Sequence, residues 1–146
     1  MKVKLEIDKQ YTEPEIHVCN HICDEETMQL KQVVCELVDG NVVAYDGDSS
    51  VLLRYADIVR IFSANKNVYV STEEGQYRIR ERLYEMEERL DVKRYVRISN
   101  SEIINVQKLI KLDTSFTGTI KMYLKGDQET YVSRRYVSKI KKTLGI

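Results

Sequence analysis

The run from Tyr95 to Asn105, Tyr-Val-Arg-Ile-Ser-Asn-Ser-Glu-Ile-Ile-Asn, decides the fold class. Val96 and Ile98 alternate with polar neighbours as strand residues do. Ser99-Asn100-Ser101 then interrupts the pattern, and Ile103 and Ile104 resume it. Small hydrogen-bonding side chains between two apolar runs predict two strands or short elements joined by a loop. Arg97 stands two residues before that break. A comparable polar turn, Tyr131-Val132-Ser133-Arg134-Arg135-Tyr136-Val137, marks a strand-to-helix junction near the C-terminus.

Working outward, the same texture of short strands and tight turns fills residues 41–146. Val42–Tyr45 and Val51–Arg54 flank Asp46-Gly47-Asp48 as a hairpin. Ile58–Ser63 and Val68–Thr72 flank Ala64-Asn65-Lys66-Asn67 as a second hairpin with a polar, basic tip. Glu74-Gly75 turns the chain into Tyr77–Ile79. Leu83, Met86 and Leu90 fall at i, i+3 and i+7, so Arg82–Leu90 reads as a helix. Leu109–Leu112, Ile120–Leu124 and Thr130–Ser133 are further strands, the last two joined at Lys125-Gly126-Asp127. Ser133 is placed to cap a last helix that buries Tyr136 or Val137, Ile140 and Leu144 and ends at Gly145. The fold class is therefore mainly β (α+β), an antiparallel architecture with short helices.

Residues 1–40 read differently, as a small strand–strand–helix unit. Lys2–Ile7 alternates Val3, Leu5 and Ile7 with charges, and Ile16–Cys23 alternates again after the only proline, Pro14. Asp24 is an N-cap with Glu25 and Glu26 in the first turn. Leu30, Val33, Val34, Leu37 and Val38 form the apolar stripe, and Gly40 stops the helix. The unit is too small to stand alone, so it is expected to pack on the rest or on a partner.

A chain of 146 residues suits one domain with an extension, and at this length buries roughly 70% of its unfolded surface. It has no apolar run long enough to span a bilayer and no signal-peptide pattern, so a cytoplasmic protein is expected. The three cysteines, Cys19, Cys23 and Cys35, are an odd count near the N-terminus and read as reduced thiols. The zero net charge conceals a gradient. Residues 1–48 carry four lysines against eleven acids, a net of −7; residues 49–93 carry eight of each sign; residues 94–146 carry eleven Lys or Arg against four acids, a net of +7. A basic end attracts phosphates whatever their sequence, through counterion release. A merely uneven solvated surface is the bland alternative, and the polar, arginine-bearing turns weigh against it.

Other chemistry finds little support. His17, Cys19, His21 and Cys23 share one face of an extended strand and are zinc ligands by type. At ~3.3 Å per residue they spread over nearly ~20 Å, so ordinary strand filling is preferred to a metal site. No basic neighbour activates Cys19 or Cys23 for redox sensing, and Cys35 reads as core-facing. No nucleophile–base arrangement and no phosphate-binding glycine loop appear, so no enzyme, cofactor or small-molecule substrate is expected. The ten tyrosines fall mostly in strand patterns, which favours packing over a single-strand stacking platform.

Arg97, Ser101 and Asn105 follow an R-x-x-x-S-x-x-x-N pattern, and Val132-Ser133-Arg134-Arg135-Tyr136 a v-S-R-x-Y pattern. Together with Ala56–Ile61, the Leu- and Glu-containing helix and Leu144-Gly145, they resemble the LytTR DNA-binding domain of bacterial transcription regulators, from about Asn41 to Ile146. The resemblance implies an elongated β-fold that inserts loops into successive major grooves of promoter DNA. It implies base contacts from Asn65, Asn67, Asn100, Ser101, Arg134 and Arg135. Those assignments suit the chemistry, since Asn matches an adenine edge and Arg a guanine edge, while Lys66, Arg97, Lys108 and Lys139 are expected on phosphates, where they fix register. Residues 1–40 are too short for the receiver domain of many members, so the likeness is to stand-alone regulators, often controlled by a membrane protein. A homodimer is expected, and the acidic N-terminal unit is the candidate either for dimerisation or for meeting that regulatory partner. A protein-interaction adaptor of the same fold, which does not read DNA, is the alternative function.

Overall fold

The structure, a computed structural model, describes the backbone of residues 1–146 and all side chains except those of residues 35–39. The chain forms two compact units, residues 1–35 and 36–146.

The helix α1 spans Glu25–Asp39, beginning in the first unit. Asp24 caps it as expected, its Oδ1 accepting from the Thr27 backbone N–H at 2.8 Å and from the Thr27 hydroxyl. Those Thr27 bonds hold the Asp24 carboxyl below its ordinary value. Gly40, at φ +86°, takes the left-handed position that ends the helix. The inward orientation expected of Cys35, Leu37 and Val38 lies outside the described side chains.

Two expectations fail in this unit. Neither Lys2–Ile7 nor Ile16–Cys23 forms a strand, so the unit is not strand–strand–helix. Alternation supplies an amphipathic face, but a strand also needs a partner edge for its backbone groups. His17, Cys19, His21 and Cys23 therefore share no strand face. His17 Nε2 instead meets Glu15 Oε2 at 2.7 Å, and Cys19 and Cys23 are exposed free thiols. Among the described residues no three His, Cys, Asp or Glu side chains gather as metal ligands would.

The second unit is built from ten strands. β1 (Asn41–Asp46) and β2 (Ser49–Arg54) form the first hairpin, closed by Gly47-Asp48. β3 (Arg60–Ala64) and β4 (Asn67–Ser71) form the second, closed by Asn65-Lys66. β5 (Gln76–Ile79) leads into α2 (Leu83–Arg89), and the central stretch supplies β6 (Tyr95–Ser99) and β7 (Glu102–Asn105). These form one antiparallel sheet in the order β2-β1-β5-β4-β3-β7-β6. β8 (Leu109–Asp113), β9 (Ile120–Leu124) and β10 (Gln128–Val132) form a second, three-stranded sheet. A 3-10 turn at Arg134–Tyr136 runs into α3 (Val137–Leu144).

The β6–β7 hairpin is buried on both faces, which is why its sequence organises the rest. Tyr95 and Ile103 join one core with Ile61, Val70 and the α2 residues Leu83 and Met86. Val96, Ile98 and Ile104 join the other with Ile120, Met122 and Val132 of the smaller sheet and Ile140 of α3. Period-two alternation sends neighbours to opposite faces, so one short hairpin serves two cores. Each fully buried aliphatic side chain contributes roughly 1.5–3 kcal/mol.

A polar seam also joins the sheets. Buried Glu102 accepts from Arg60 Nη1 at 2.7 Å and from the Thr130 hydroxyl at 2.6 Å. Gln128 accepts from Arg60 Nε and donates to the Thr72 carbonyl. Because every partner is satisfied, burial carries no unpaired charge. Ser133 does not cap α3 with its side chain; its carbonyl instead accepts from the Tyr136 N–H, closing the 3-10 turn.

Candidate nucleic-acid interface

Strand direction decides which turns share an end of the molecule. β3 runs towards Ala64, and β7 pairs with it antiparallel beginning at Glu102 opposite Phe62. The tip at Asn65-Lys66 and the break at Asn100-Ser101 therefore project from the same end of the larger sheet. The Ser63 N–H donates to the Ser101 carbonyl at 2.9 Å, fastening the two turns together.

The third turn is brought there by a defect in β6. Pairing with β7 slips between Arg97 and Ser99, leaving Ile98 as an extra residue in a bulge. The Ile98 carbonyl accepts from the Ser133 N–H at 2.9 Å. That bond docks the exit of β10, and with it Arg134 and Arg135, beside the β6–β7 break. The Tyr136 hydroxyl then donates to Asn100 Oδ1 at 3.2 Å. A carboxamide oxygen has two lone pairs and its nitrogen two N–H groups. Tyr136 thus orients Asn100 while leaving acceptor and donor capacity facing solvent.

Asn65, Lys66, Asn100, Ser101, Arg134, Arg135 and Lys139 are all exposed, and Asn67 is half-buried. The structure brings the first six together with Asn67 at one end. Arg134 lies over Gly118 of the β8–β9 loop, close enough that a Cβ there would meet its Nε at 3.2 Å. Asn65 and Lys66 have φ of +51° and +66°, left-handed for both central residues of a two-residue turn. This is the turn type whose twist suits a hairpin, but glycine is the usual residue at its second position.

Two expected phosphate contacts are placed differently. Arg97 is turned onto its own chain: Nε donates to the Ser99 carbonyl at 2.8 Å, Nη2 to the Asn100 carbonyl, and Nη1 to Glu87 of α2. It supports the backbone of the break. Lys108 lies at the opposite end of the sheet, its Nζ 2.9 Å from Glu73 Oε2, and this bond holds the Glu73 carboxyl below its ordinary value.

Arg80 and Arg82 do not emerge from the sequence reading. β5 runs antiparallel to β4 and ends at Ile79 opposite Val68, so both arginines follow at the tip end. They line one shallow depression with Lys66, Asn67, Arg78 and Glu81, whose carboxylate is paired with Arg89 at 3.8 Å. Arg80 and Arg82 are exposed, and among the described residues no carboxylate pairs with either. The signal is Arg78-Ile79-Arg80-Glu81-Arg82, alternate cations at the end of a strand. The balanced charge of residues 49–93 conceals it.

Comparison with known proteins gives a consistent picture. Residues 48–145 match the family described as the LytTr DNA-binding domain. An uncharacterised HTH-type transcriptional regulator of Staphylococcus aureus strain MSSA476 is 33% identical over 147 residues, covering 100% of this chain and 99% of its own. Its counterpart in strain MRSA252 is 32% identical over the same span. Among solved structures, the LytTr DNA-binding domain assigned to a methyl-accepting/DNA response regulator from Bacillus cereus superposes with a TM-score of 0.70 at 22% identity. That match covers 73% of this chain and 98% of the other. The relatives' names mention a helix-turn-helix; in this chain strands lie between α1, α2 and α3 along the sequence.

Proposed function

The chain belongs to the LytTr DNA-binding domain family and is a DNA-binding transcriptional regulator, and from that premise we propose that it reads duplex DNA with three turns set on one end of its larger sheet. Asn65, Asn67, Asn100, Ser101, Arg134 and Arg135 meet base edges in the major groove. A guanidinium matches the O6 and N7 of guanine, and a carboxamide the N6 and N7 of adenine. Lys66, Lys139, Arg80 and Arg82 neutralise flanking phosphates and fix register.

The observation that carries this reading is the fastening of the turns to one another, through Ser63 to Ser101, Ser133 to Ile98 and Tyr136 to Asn100. Such bonds set the separation and orientation of the reading groups before DNA arrives, which lowers the ordering cost of binding. Arg97 joins this reading as the residue that shapes the β6–β7 break, and Lys108 as one that stabilises the far end.

The protein acts in the cytoplasm as a homodimer, and a membrane protein governs its activity. No helix among the described residues is long and apolar enough to cross a bilayer itself. Paired footprints on repeated sites multiply affinity without new contacts.

A salt titration of promoter-fragment binding tests the phosphate assignments. Log affinity should fall linearly with log salt, by about 0.9 per neutralised phosphate. The double variant R80A/R82A should bind all sequences more weakly and lose about two units of slope. An unchanged slope would remove both arginines from the interface.

A further inference from the structure

The segment Lys2-Val3-Lys4-Leu5-Glu6-Ile7-Asp8 has the alternation of a strand, yet it pairs with no other strand of this chain. Its apolar side chains stand in water: Val3 is 98% exposed, Leu5 84% and Ile7 87%. Its charges occupy the other set of alternate positions. Lys4 Nζ lies 3.3 Å from Glu6 Oε2, as expected of residues two apart on one side of an extended chain.

The order of those charges is the informative feature. Both cations precede both anions, with Leu5 at the midpoint. If the segment is laid antiparallel on a copy of itself about Leu5, Lys2 stands opposite Asp8, Lys4 opposite Glu6, Val3 opposite Ile7, and Leu5 opposite Leu5. Every facing pair is then either opposite in charge or apolar on apolar. Directly opposed residues of an antiparallel pair have Cβ atoms roughly 4.5–5.5 Å apart, close enough for their side chains to interact. A parallel in-register pairing would instead set lysine against lysine and acid against acid. The pattern therefore specifies both partner and direction.

We propose that residues 2–8 form an intermolecular strand pair with the same residues of a second copy of this chain, related by a two-fold axis through Leu5. The contact is isologous, so each ion pair occurs twice and the interface closes at two subunits. The backbone N–H and C=O groups of the segment gain the ladder that they lack within one chain. Val3, Leu5 and Ile7 from both copies make a continuous apolar row. This gives the homodimer proposed above a contact surface, and it depends on association alone, not on the assignment of the reading turns.

Sedimentation equilibrium of the full-length chain and of charge-reversed variants tests it. The wild type should dimerise at micromolar concentration. K2E/K4E makes all four polar positions acidic and E6K/D8K makes all four basic, so each variant alone should dissociate with a Kd raised about tenfold or more. An equimolar mixture of the two should recover association as a heterodimer, because every facing pair is then opposite in charge. The substituted residues are exposed, and circular dichroism melts should show the same folded domain in all three proteins. A monomeric wild type, as an intrachain pairing of residues 2–8 with Ile16–Ile22 would give, overturns the proposal. So does dimerisation of both variants at wild-type strength, or failure of the mixture to recover it. Dissociated K2E/K4E should still show native sequence preference on a single half-site, which separates this test from that of the reading turns.

Discussion

The hairpin turns of β1–β2 and β3–β4 lie at opposite ends of the same sheet and solve the same geometric problem differently. The first closes with Gly47-Asp48, where glycine takes the left-handed position at φ +58° and acids flank it at Asp46 and Asp48. The second closes with Asn65 and Lys66, both left-handed and neither glycine. Asparagine tolerates this conformation; lysine does so at a cost of roughly 1–2 kcal/mol. The ends also differ in how their cations are held. Lys108 is paired with Glu73 at one end, whereas Lys66, Arg80, Arg82 and Arg135 at the other have no carboxylate partner among the described residues. One end holds its lysine in an ion pair; the other sets a lysine in the left-handed region and keeps unneutralised charge where DNA is proposed to dock.

The largest expected effect comes from the turn that carries Arg134 and Arg135. R135A should lose roughly 1–3 kcal/mol of discrimination, about five- to 150-fold, between the native site and one with the contacted base replaced. Competition gel shifts on the two sequences measure it. Non-specific DNA should be bound only slightly less well, since one phosphate-independent contact is gone. If specific and non-specific binding fall together, Arg135 neutralises a phosphate and does not read a base.

K66G should separate stability from binding, with opposite signs. Relief of roughly 1–2 kcal/mol of left-handed strain exceeds the 0.5–1 kcal/mol that glycine costs through its freer unfolded chain. The melting temperature should therefore rise by about 1–2 °C, given ~2–4 °C per kcal/mol in domains of 150–250 residues. DNA affinity should drop several-fold at low salt, because one cation beside the backbone is lost. The same change made at Gly47 in reverse, G47K, should lower the melting temperature and leave DNA binding unaltered. Should K66G destabilise the fold instead, the turn is not strained and the contrast between the two tips disappears.

Much of the fold was legible because turn residues and apolar periods act locally. Gly47, Gly75 and Gly126-Asp127 mark three turns, and the stripe Leu83, Met86, Leu90 marks α2. The break at Ser99–Ser101 was legible for the same reason. Its consequence was not, since the bulge at Ile98 and the bond from Ser133 depend on pairing register between distant strands. Arg97 shows the limit most clearly. Its type and position suit a phosphate, but only the fold reveals Glu87 and two carbonyls within its reach. Arg80 and Arg82 are hidden for the opposite reason: Glu81 and Glu85 cancel their charges in composition, whereas in the fold the Glu81 carboxylate is paired with Arg89 and Glu85 accepts from the Arg82 backbone N–H. The N-terminal alternation is a real amphipathic pattern that forms no strand, because periodicity does not supply a neighbour.

The smallest effect belongs to the far end. Lys108 holds Glu73 ionised by a direct hydrogen bond and by its charge, with Lys125 adding to the attraction. A carboxyl whose folded value is lowered contributes stability that is present above its ordinary unfolded value and is lost as pH falls through the lowered one. K108A should therefore melt slightly below the wild type at neutral pH, and the gap should close as the pH drops below about 4. Because both partners reach solvent, added salt should narrow the same gap at neutral pH. DNA affinity and its salt slope should not change, since Lys108 lies across the sheet from the three turns. A lower slope in K108A would mean that the duplex reaches the second end as well, and that the division between a docking end and a stabilising end is false.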